Sequence, residues 1–397
     1  MCLAKNNGLC RLPRKELVPH SIQNMIRLLL IPLIFFTYCS VPDNSNLTEK
    51  NQLLYAGGFE IKNNKGFQQV IITNPWQKSK NESLTYILAN NQESVPDTLR
   101  EFTFIKTPVE RAIVLSSTHV GFIAALGKSS TVVGVSGKDF ISDTTVRRSL
   151  ENKTCLDIGF APNIDFESIL ILKPDVVFLY GLDPSVTALV KRFSEAGIKA
   201  VLVSEFLEDH PLGKAEWIRF FSAFYGCTTE GDSIFSEVKT NYLAWKDSVA
   251  EFTHAPKVLT GLPWKDTWYM AGGRSFAAKF IEDAHGDYLW ADNTNIDFVP
   301  LDLESVFQKA VHADIWINTG SAESLQGILA EDKRFAYIPA FQNGQVYNNN
   351  LTLNSTGGND FWESGAVRPD RVLSDLILIF HPEKFSTTKL FYYRRLE

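Results

Sequence analysis

One stretch of the chain, residues 229–252, constrains the possible folds more than any other. Apolar side chains recur there at the three- and four-residue spacing of a helix with one buried face: Ile234, Phe235, Val238, Tyr242, Trp245, Val249 and Phe252. Thr228 or Thr229 is suited to cap this helix, and Pro256 to end it, because proline lacks a backbone donor. A helix of this length would span roughly 35 Å. It is either a long core helix or a rigid connector between two lobes.

A short motif occurs once on each side of this helix. Residues 165–170 and 302–307 both open with Asp, an apolar residue, Glu and Ser, and buried strands follow at 176–178 and 315–317. A repeat of this kind indicates duplicated architecture. Together with the helix midway between the copies, it predicts two α/β lobes on one helical connector.

Composition excludes some classes of function. The chain has 397 residues, of which 45% are apolar, with a net charge of −6 and a pI near 5.7. Nucleic-acid binders normally present a basic surface, so this class is not expected. The five cysteines show no zinc-binding spacing, and Cys155 and Cys227 are expected to be buried apolar residues.

The N-terminus has the character of an export signal. The apolar run 26–38 is too short to span a bilayer but has the length of a signal-peptide core, with Met25 as the expected true start. Cys39 and the polar stretch after it resemble a bacterial lipoprotein signal. Tyr38 stands where a small residue is usual, which leaves lipidation of Cys39 open. We expect a protein of the periplasm or cell envelope, held to a membrane by a lipid anchor.

The remaining pattern divides the chain into segments. We predict a signal region at 1–39, a tether at 40–52, a small β extension at 53–107 and an N-terminal lobe at 108–228. The connector helix is placed at 229–253 and the C-terminal lobe at 254–397. The extension is expected to pack onto the first lobe. From residue 111 onward, strand–helix–strand units predict parallel sheets and Rossmann-like lobes of the α/β class.

An aromatic cluster is the leading candidate for ligand contact. Trp264, Trp268 and Tyr269 lie between a predicted strand and a predicted helix. Aromatic side chains on a loop can grip a flat or bulky ligand at low entropic cost. Ordinary packing of the lobe is the alternative for each of them.

Further candidates lie on loops at the carboxyl ends of predicted strands, where ligands of open α/β sheets bind. Phe160, Tyr180 and Trp362 belong to this group. His119 is placed on the same rim, where an imidazole can ligate a chelated metal or simply cap a helix. The asparagines between 348 and 359 suit either a ligand rich in amide groups or a polar surface loop.

Catalytic motifs are not evident. Residues 134–137 do not form a nucleophile elbow, and residues 272–275 do not form a phosphate-binding loop. Binding is therefore preferred to catalysis. A two-lobed α/β enzyme such as a hydrolase and a surface lipoprotein without a transport role remain as alternatives.

Three segments resemble a known family in the family's own order. Residues 111–137, 163–180 and 269–286 are similar to signatures of the solute-binding proteins for iron–siderophores, haem and vitamin B12. The resemblance covers residues 108–381 and implies two lobes on one rigid helix, with a ligand in the cleft and delivery to the permease of an ABC importer. The ligand is expected to be a metal chelate, with no cofactor of the protein's own. Ferric siderophore, haem and corrinoid are not separated.

Glu167 and Glu304 occupy equivalent places in the two motif copies. Each is expected near the start of a short helix, where a carboxylate is favourable in any case. The family resemblance implies that each lobe carries one such glutamate to dock on a symmetric permease dimer. The extension and the loop 348–362 lie outside the general pattern of the family.

Overall fold

The computed structural model describes residues 49–50, 53–160, 163–385 and 389–397. Three five-stranded sheets and one two-stranded ribbon are arranged along the chain. Within the described residues, no helix combines the length and the apolar character needed to cross a membrane. The predicted signal region, Cys39 and most of the tether lie outside the described residues.

The N-terminal extension is a sheet in the order β1-β2-β3-β4-β5, antiparallel except for its last pair. Its strands are β1 Glu49–Lys50, β2 Phe59–Asn64, β3 Phe67–Thr73, β4 Ser83–Ala89 and β5 Thr103–Lys106. Phe59 packs against Trp217, and the inward side chains join the main hydrophobic core. The extension therefore packs on the N-terminal lobe as expected.

The N-terminal lobe is a parallel sheet in the order β10-β9-β6-β7-β8 with helices between its strands. Its elements are β6 Ala112–Val114, α1 Ser117–Ala125, β7 Val132–Val135, α2 Thr144–Glu151, β8 Leu156–Asp157, α3 Phe166–Leu172, β9 Val176–Leu179, α4 Val186–Glu195, β10 Ala200–Leu202 and α5 Pro211–Phe224. Helix α5 is buried on nearly all sides, because the extension, the lobe and the connector surround it.

The connector is helix α6, Thr228–Ser248. It packs between α5 and the last helix of the C-terminal lobe, and Phe235, Val238 and Tyr242 are buried along it. Its ends differ from the prediction. Cys227 occupies the N-cap position in place of a threonine, and the helix ends before Val249 rather than at Pro256.

The C-terminal lobe repeats the plan with the sheet β13-β11-β15-β16-β17, parallel except for β17. Its elements are β11 Lys257–Thr260, β12 Trp268–Met270, α7 Phe276–Asp283, β13 Asp287–Tyr288, β14 Val299–Leu301, α8 Leu303–Ala310, β15 Ile315–Ile317, α9 Leu325–Glu331, α10 Pro339–Gln342, β16 Val346–Asn348, α11 Pro369–Phe380 and β17 Arg394–Arg395. Strands β12 and β14 form the separate antiparallel ribbon. Two α/β lobes joined by one long helix, with an N-terminal β extension, confirm the predicted fold class.

Candidate functional site

A cavity of about 530 Å³ lies between the two lobes. Loops at strand ends build most of it: the segments after the parallel strands β10 and β15, and the segment that follows β12 of the antiparallel ribbon. The volume falls within the range of small-molecule sites. Its walls are mainly apolar and include Phe206, Leu207, Phe276, Phe280, Ile296, Phe298, Phe361, Trp362 and Leu376.

A second cavity of about 580 Å³ follows the rim of the N-terminal sheet. Phe160 and Tyr180 line it, and both side chains are about half exposed. The ring of Tyr180 meets the ring of Phe206 edge-on at 6.1 Å between centroids. Because Phe206 lines the inter-lobe cavity, this contact places the two cavities next to each other. Ligand contact by Phe160 and Tyr180 stays a prediction.

The three residues of the predicted aromatic cluster lie in different environments. Trp264 and Tyr269 are exposed, with ring centroids 6.5 Å apart. Trp268 is fully buried, donates from Nε1 to the Thr260 carbonyl at 3.0 Å and stacks on Trp316. Side chains of a strand alternate between its faces, so Trp268 and Tyr269 of β12 point in opposite directions. The prediction that Trp268 contacts ligand is therefore wrong.

His119 is also not a rim residue. It is the third residue of α1, it is fully buried, and its Nε2 lies 3.6 Å from Oε2 of Glu205. The expected exposed imidazole, free to ligate a chelated metal, is contradicted by this burial. The helix turns the side chain into the protein interior, toward Glu205.

The buried carboxylate of Glu205 connects His119 to the cavity wall. Burial alone would raise the pKa of Glu205, but the facing His119 imidazole and Lys214 ammonium outweigh it and lower that pKa. Lys214 lines the inter-lobe cavity, and burial lowers the pKa of its ammonium group while Glu205 opposes the change. The Lys214 ammonium also lies 5.3 Å from the centroid of the Phe276 ring. The mainly apolar wall of the inter-lobe cavity therefore contains a cation, Lys214, with the buried carboxylate of Glu205 behind it as its counter-ion.

Trp362 lines the inter-lobe cavity and is 57% exposed, which leaves its ring accessible to a ligand. It belongs to a segment that we call the inter-lobe strap, residues 349–368. The strap leaves β16 of the C-terminal lobe and reaches α1 of the other lobe, where Thr118 Oγ1 donates to the Trp362 carbonyl at 2.9 Å. Gly121 permits this approach, because a Cβ there would collide with the Glu363 carbonyl oxygen.

Glu363 fixes the strap to the start of α2. It is 2% exposed and accepts hydrogen bonds from the backbone N–H groups of Ser142 and Asp143, both at 2.7 Å. Burial raises the pKa of Glu363 to about 8, and the nearby Asp360 and Asp143 add to the effect. The strap is therefore a second connection between the lobes, beside the connector helix.

The strap's asparagines serve structure rather than ligand recognition. Asn354 Nδ2 donates to the Ile141 carbonyl at 2.8 Å, and Asn359 Nδ2 donates to the Asn349 carbonyl at 2.9 Å. Asn348, which precedes the strap, is fully buried. The amide groups of this segment are therefore bonded within the fold, while residues 355–357 at its tip are exposed.

The two predicted docking glutamates occupy matching positions. Each is the second residue of its helix, and each helix is capped by the aspartate two residues earlier. Asp165 accepts from the Ser168 N–H at 3.0 Å, and Asp302 accepts from the Ser305 N–H at 2.7 Å. Glu167 and Glu304 are exposed in both copies. This equivalence supports the repeat, while docking stays a prediction.

Among the residues that the structure describes, no group of three or more His, Cys, Asp or Glu side chains is arranged to hold a metal ion. Cys155 and Cys227 are free and buried, as expected of apolar residues.

Comparison with known proteins places this site in a family context. A family model described as "Periplasmic binding protein" matches residues 113–349. An uncharacterized lipoprotein of Methanocaldococcus jannaschii is 28% identical over 325 residues, which are 78% of this chain and 75% of the relative.

Two solved structures have a similar fold. A possible iron-binding, periplasmic solute-binding protein from Staphylococcus epidermidis aligns with a TM-score of 0.54 and 18% identity, over 69% of this chain and 99% of its own. A periplasmic heme-binding protein from Roseiflexus aligns with a TM-score of 0.52 and 23% identity, over 69% and 98%. At these identities the likeness concerns the fold.

Proposed function

Because the chain belongs to the periplasmic binding protein family, we propose that it captures a metal chelate between its lobes and delivers it to the permease of an ABC importer. The observation that carries this proposal is the inter-lobe cavity of about 530 Å³, with aromatic walls and a few charged groups. Small-molecule sites combine an apolar lining with a small number of placed polar groups in this way.

The lining favours a bulky ligand with a flat or apolar surface. Phe206 and Phe276 enter from opposite lobes, and Trp362 adds a third ring from the strap. Since the described residues offer no cluster of metal ligands, the metal would be held by its own chelator. A ferric siderophore, haem or a corrinoid meets this description.

Delivery would use the exposed faces of the two lobes. Glu167 and Glu304 present one carboxylate per lobe on equivalent helices, and a dimeric permease offers two equivalent surfaces. Charges at such a rim mainly set the rate and orientation of encounter. Lipidation at Cys39 would keep the protein at the membrane where the permease resides.

A thermal-shift panel tests the proposal. The purified protein is melted alone and with haemin, ferric citrate, a neutral ferric hydroxamate or cyanocobalamin. A ligand at 100 times its Kd stabilises the folded state by about 2.7 kcal/mol, which corresponds to roughly 3–4 °C in a protein of this size. A surface lipoprotein without a transport role would show no shift with any chelate, and that result would contradict the proposal. Turnover of a substrate without a permease would favour an enzyme instead.

A further inference from the structure

The loop that joins β3 and β4 of the N-terminal extension, residues 74–82, reaches the inter-lobe cavity. Gln77 and Lys78 at its tip line the cavity together with residues of both lobes. This part of the chain precedes the family match, which begins at residue 113. The cavity therefore has a wall that the two-lobed architecture alone does not supply.

The loop has a defined conformation. The Ser79 N–H donates to the Trp76 carbonyl at 3.1 Å, and the Ser79 hydroxyl donates to the same oxygen at 2.6 Å. The Asn74 N–H closes the base of the loop on the Glu82 carbonyl at 2.9 Å. Lys78 takes the left-handed backbone conformation, φ 62°, which this tight turn requires of its third residue.

The loop is anchored on the N-terminal lobe. Trp76 packs against the hydrophobic cluster formed by the strands and helices of that lobe, and Pro75 is buried. Glu208, at the cavity, also holds the extension, because its carboxylate accepts from the N–H groups of Gly57 and Gly58. The loop is held by the N-terminal lobe, and the extension that carries it is held by Glu208. These two anchors fix the position of Lys78 relative to the cavity.

The charges of the cavity are divided between its sides. Lys78 comes from the extension and Lys214 from the N-terminal lobe, whereas Asp297 comes from the C-terminal lobe. Glu208 lies on the cationic side, but its carboxylate is taken up by backbone N–H groups and by Trp217 Nε1 at 2.9 Å. Within the described part of the chain, Lys78 forms no ion pair and no side-chain hydrogen bond. Its ammonium group remains available to a ligand.

We infer that the β extension is part of the binding site, and that Lys78 on its loop binds an anionic oxygen group of the chelate. This inference rests on the proposed function. The ligand lies with its acidic side toward Lys78 and Lys214 and with its neutral side toward the C-terminal lobe. An acidic chelate is accordingly preferred to a neutral one.

The test measures equilibrium binding of haemin, haemin dimethyl ester, ferric citrate and cyanocobalamin to the full chain. Lys78→Gln removes the charge and keeps the length of the side chain. Lys80→Gln is the matched control, because Lys80 belongs to the same loop but does not line the cavity. We expect Lys78→Gln to weaken an acidic chelate about tenfold, the effect of losing one charged hydrogen bond. Lys80→Gln should leave its affinity unchanged.

Two further binding measurements test whether the effect of Lys78 depends on ligand charge and on its side of the cavity. Haemin dimethyl ester has no free carboxylates, so its affinity should be lower and insensitive to Lys78→Gln. Asp297→Asn should not weaken an acidic chelate, because Asp297 lies on the opposite wall. If Lys78→Gln binds acidic chelates as the wild type does, or if only neutral chelates bind, the inference is overturned while the proposed function stands. If the wild type binds none of the four probes, the proposed function fails and the inference fails with it.

Discussion

The carboxylate of Glu304 lies 3.2 Å from the guanidinium of Arg334, whereas no residue in the described ranges forms an ion pair with Glu167. The two glutamates are otherwise equivalent in position and exposure. An exposed ion pair contributes at most about 1 kcal/mol, so Arg334 does not prevent Glu304 from binding a partner. Because Glu304 has this ion pair, Glu167 of the N-terminal lobe is the more available of the two carboxylates for binding a partner.

Charge reversal of both glutamates should abolish uptake. Glu167→Arg with Glu304→Arg removes one attractive contact per lobe and adds repulsion, while the ligand cavity is untouched. Of the single variants, Glu167→Ala should reduce uptake more than Glu304→Ala. Transport by cells with the cognate permease measures the effect, and ligand affinity in vitro should equal that of the wild type. Normal uptake by the double variant, with Glu101→Arg and Glu251→Arg as the control pair, would leave only a helix-capping role.

Replacement by alanine should lower ligand affinity at Trp264 and protein stability at Trp268. Trp264 is not among the residues that line the inter-lobe cavity, so its predicted ligand contact requires a chelate that extends beyond that cavity. On this prediction, Trp264→Ala weakens chelate binding by about 1–3 kcal/mol with little change in melting temperature, because the ring is exposed. Trp268→Ala should cost about 3–5 kcal/mol of unfolding free energy, because it empties a packed site in the core. Parallel titrations and melts separate the two effects. Unchanged affinity in Trp264→Ala would remove that residue from the binding site.

Glu363 should make stability fall as pH rises. Its folded-state pKa, about 8, lies above the ordinary value of 4.5, so between these values the folded protein keeps a proton that the unfolded chain has released. Stability from this group is fully present below about pH 4.5 and is lost as pH approaches 8. The slope is at most about 1.4 kcal/mol per pH unit.

Denaturant unfolding from pH 5 to pH 8 measures this slope. Asp375, whose pKa burial raises to about 6, contributes in the same direction, so the wild type alone does not isolate Glu363. Glu363→Gln should flatten the profile, whereas Glu101→Gln should not change it. An identical slope in Glu363→Gln and wild type would show that Glu363 does not titrate in this range.

The lobes should close only slightly on ligand. The connector helix is continuous, and the strap joins the lobes a second time through Glu363 and Thr118. Hinge closure needs a few flexible residues between lobes, and this arrangement opposes it. Small-angle scattering with and without a bound chelate should give the same radius of gyration within error. A clear decrease would contradict the rigid connection.

The sequence predicted the parts of the fold that local patterns determine. The two Asp-x-Glu-Ser motifs became capped helices because Asp165 and Asp302 bond to serines three residues later. The buried stripe on the connector was visible as apolar spacing, although its ends were not, because Val249 leaves the helix without a proline or glycine signal. The family resemblance carried by three segments is confirmed by the family match.

The site was less predictable because it depends on contacts between distant segments. Trp268 was assigned to the ligand because its partner strand β14, only three residues long and containing Pro300, gives no strand signal. His119 is predicted on the rim because its burial depends on contacts with Glu205 and Phe221, which lie far away in sequence. Lys78 and Lys214 show no pattern at all, since only the fold brings the extension loop to the lobe interface.

The most direct measurement is a titration of the protein with each chelate, followed by visible absorption, in the wild type and in Ala277→Trp. Ala277 lines the inter-lobe cavity, so a tryptophan there would fill space that the ligand needs. Ala330→Trp, on an exposed position of α9, is the control. We expect saturable one-to-one binding of at least one chelate, weakened at least about tenfold by Ala277→Trp and unchanged by Ala330→Trp. Equal binding by all three proteins would contradict a ligand site in the inter-lobe cavity.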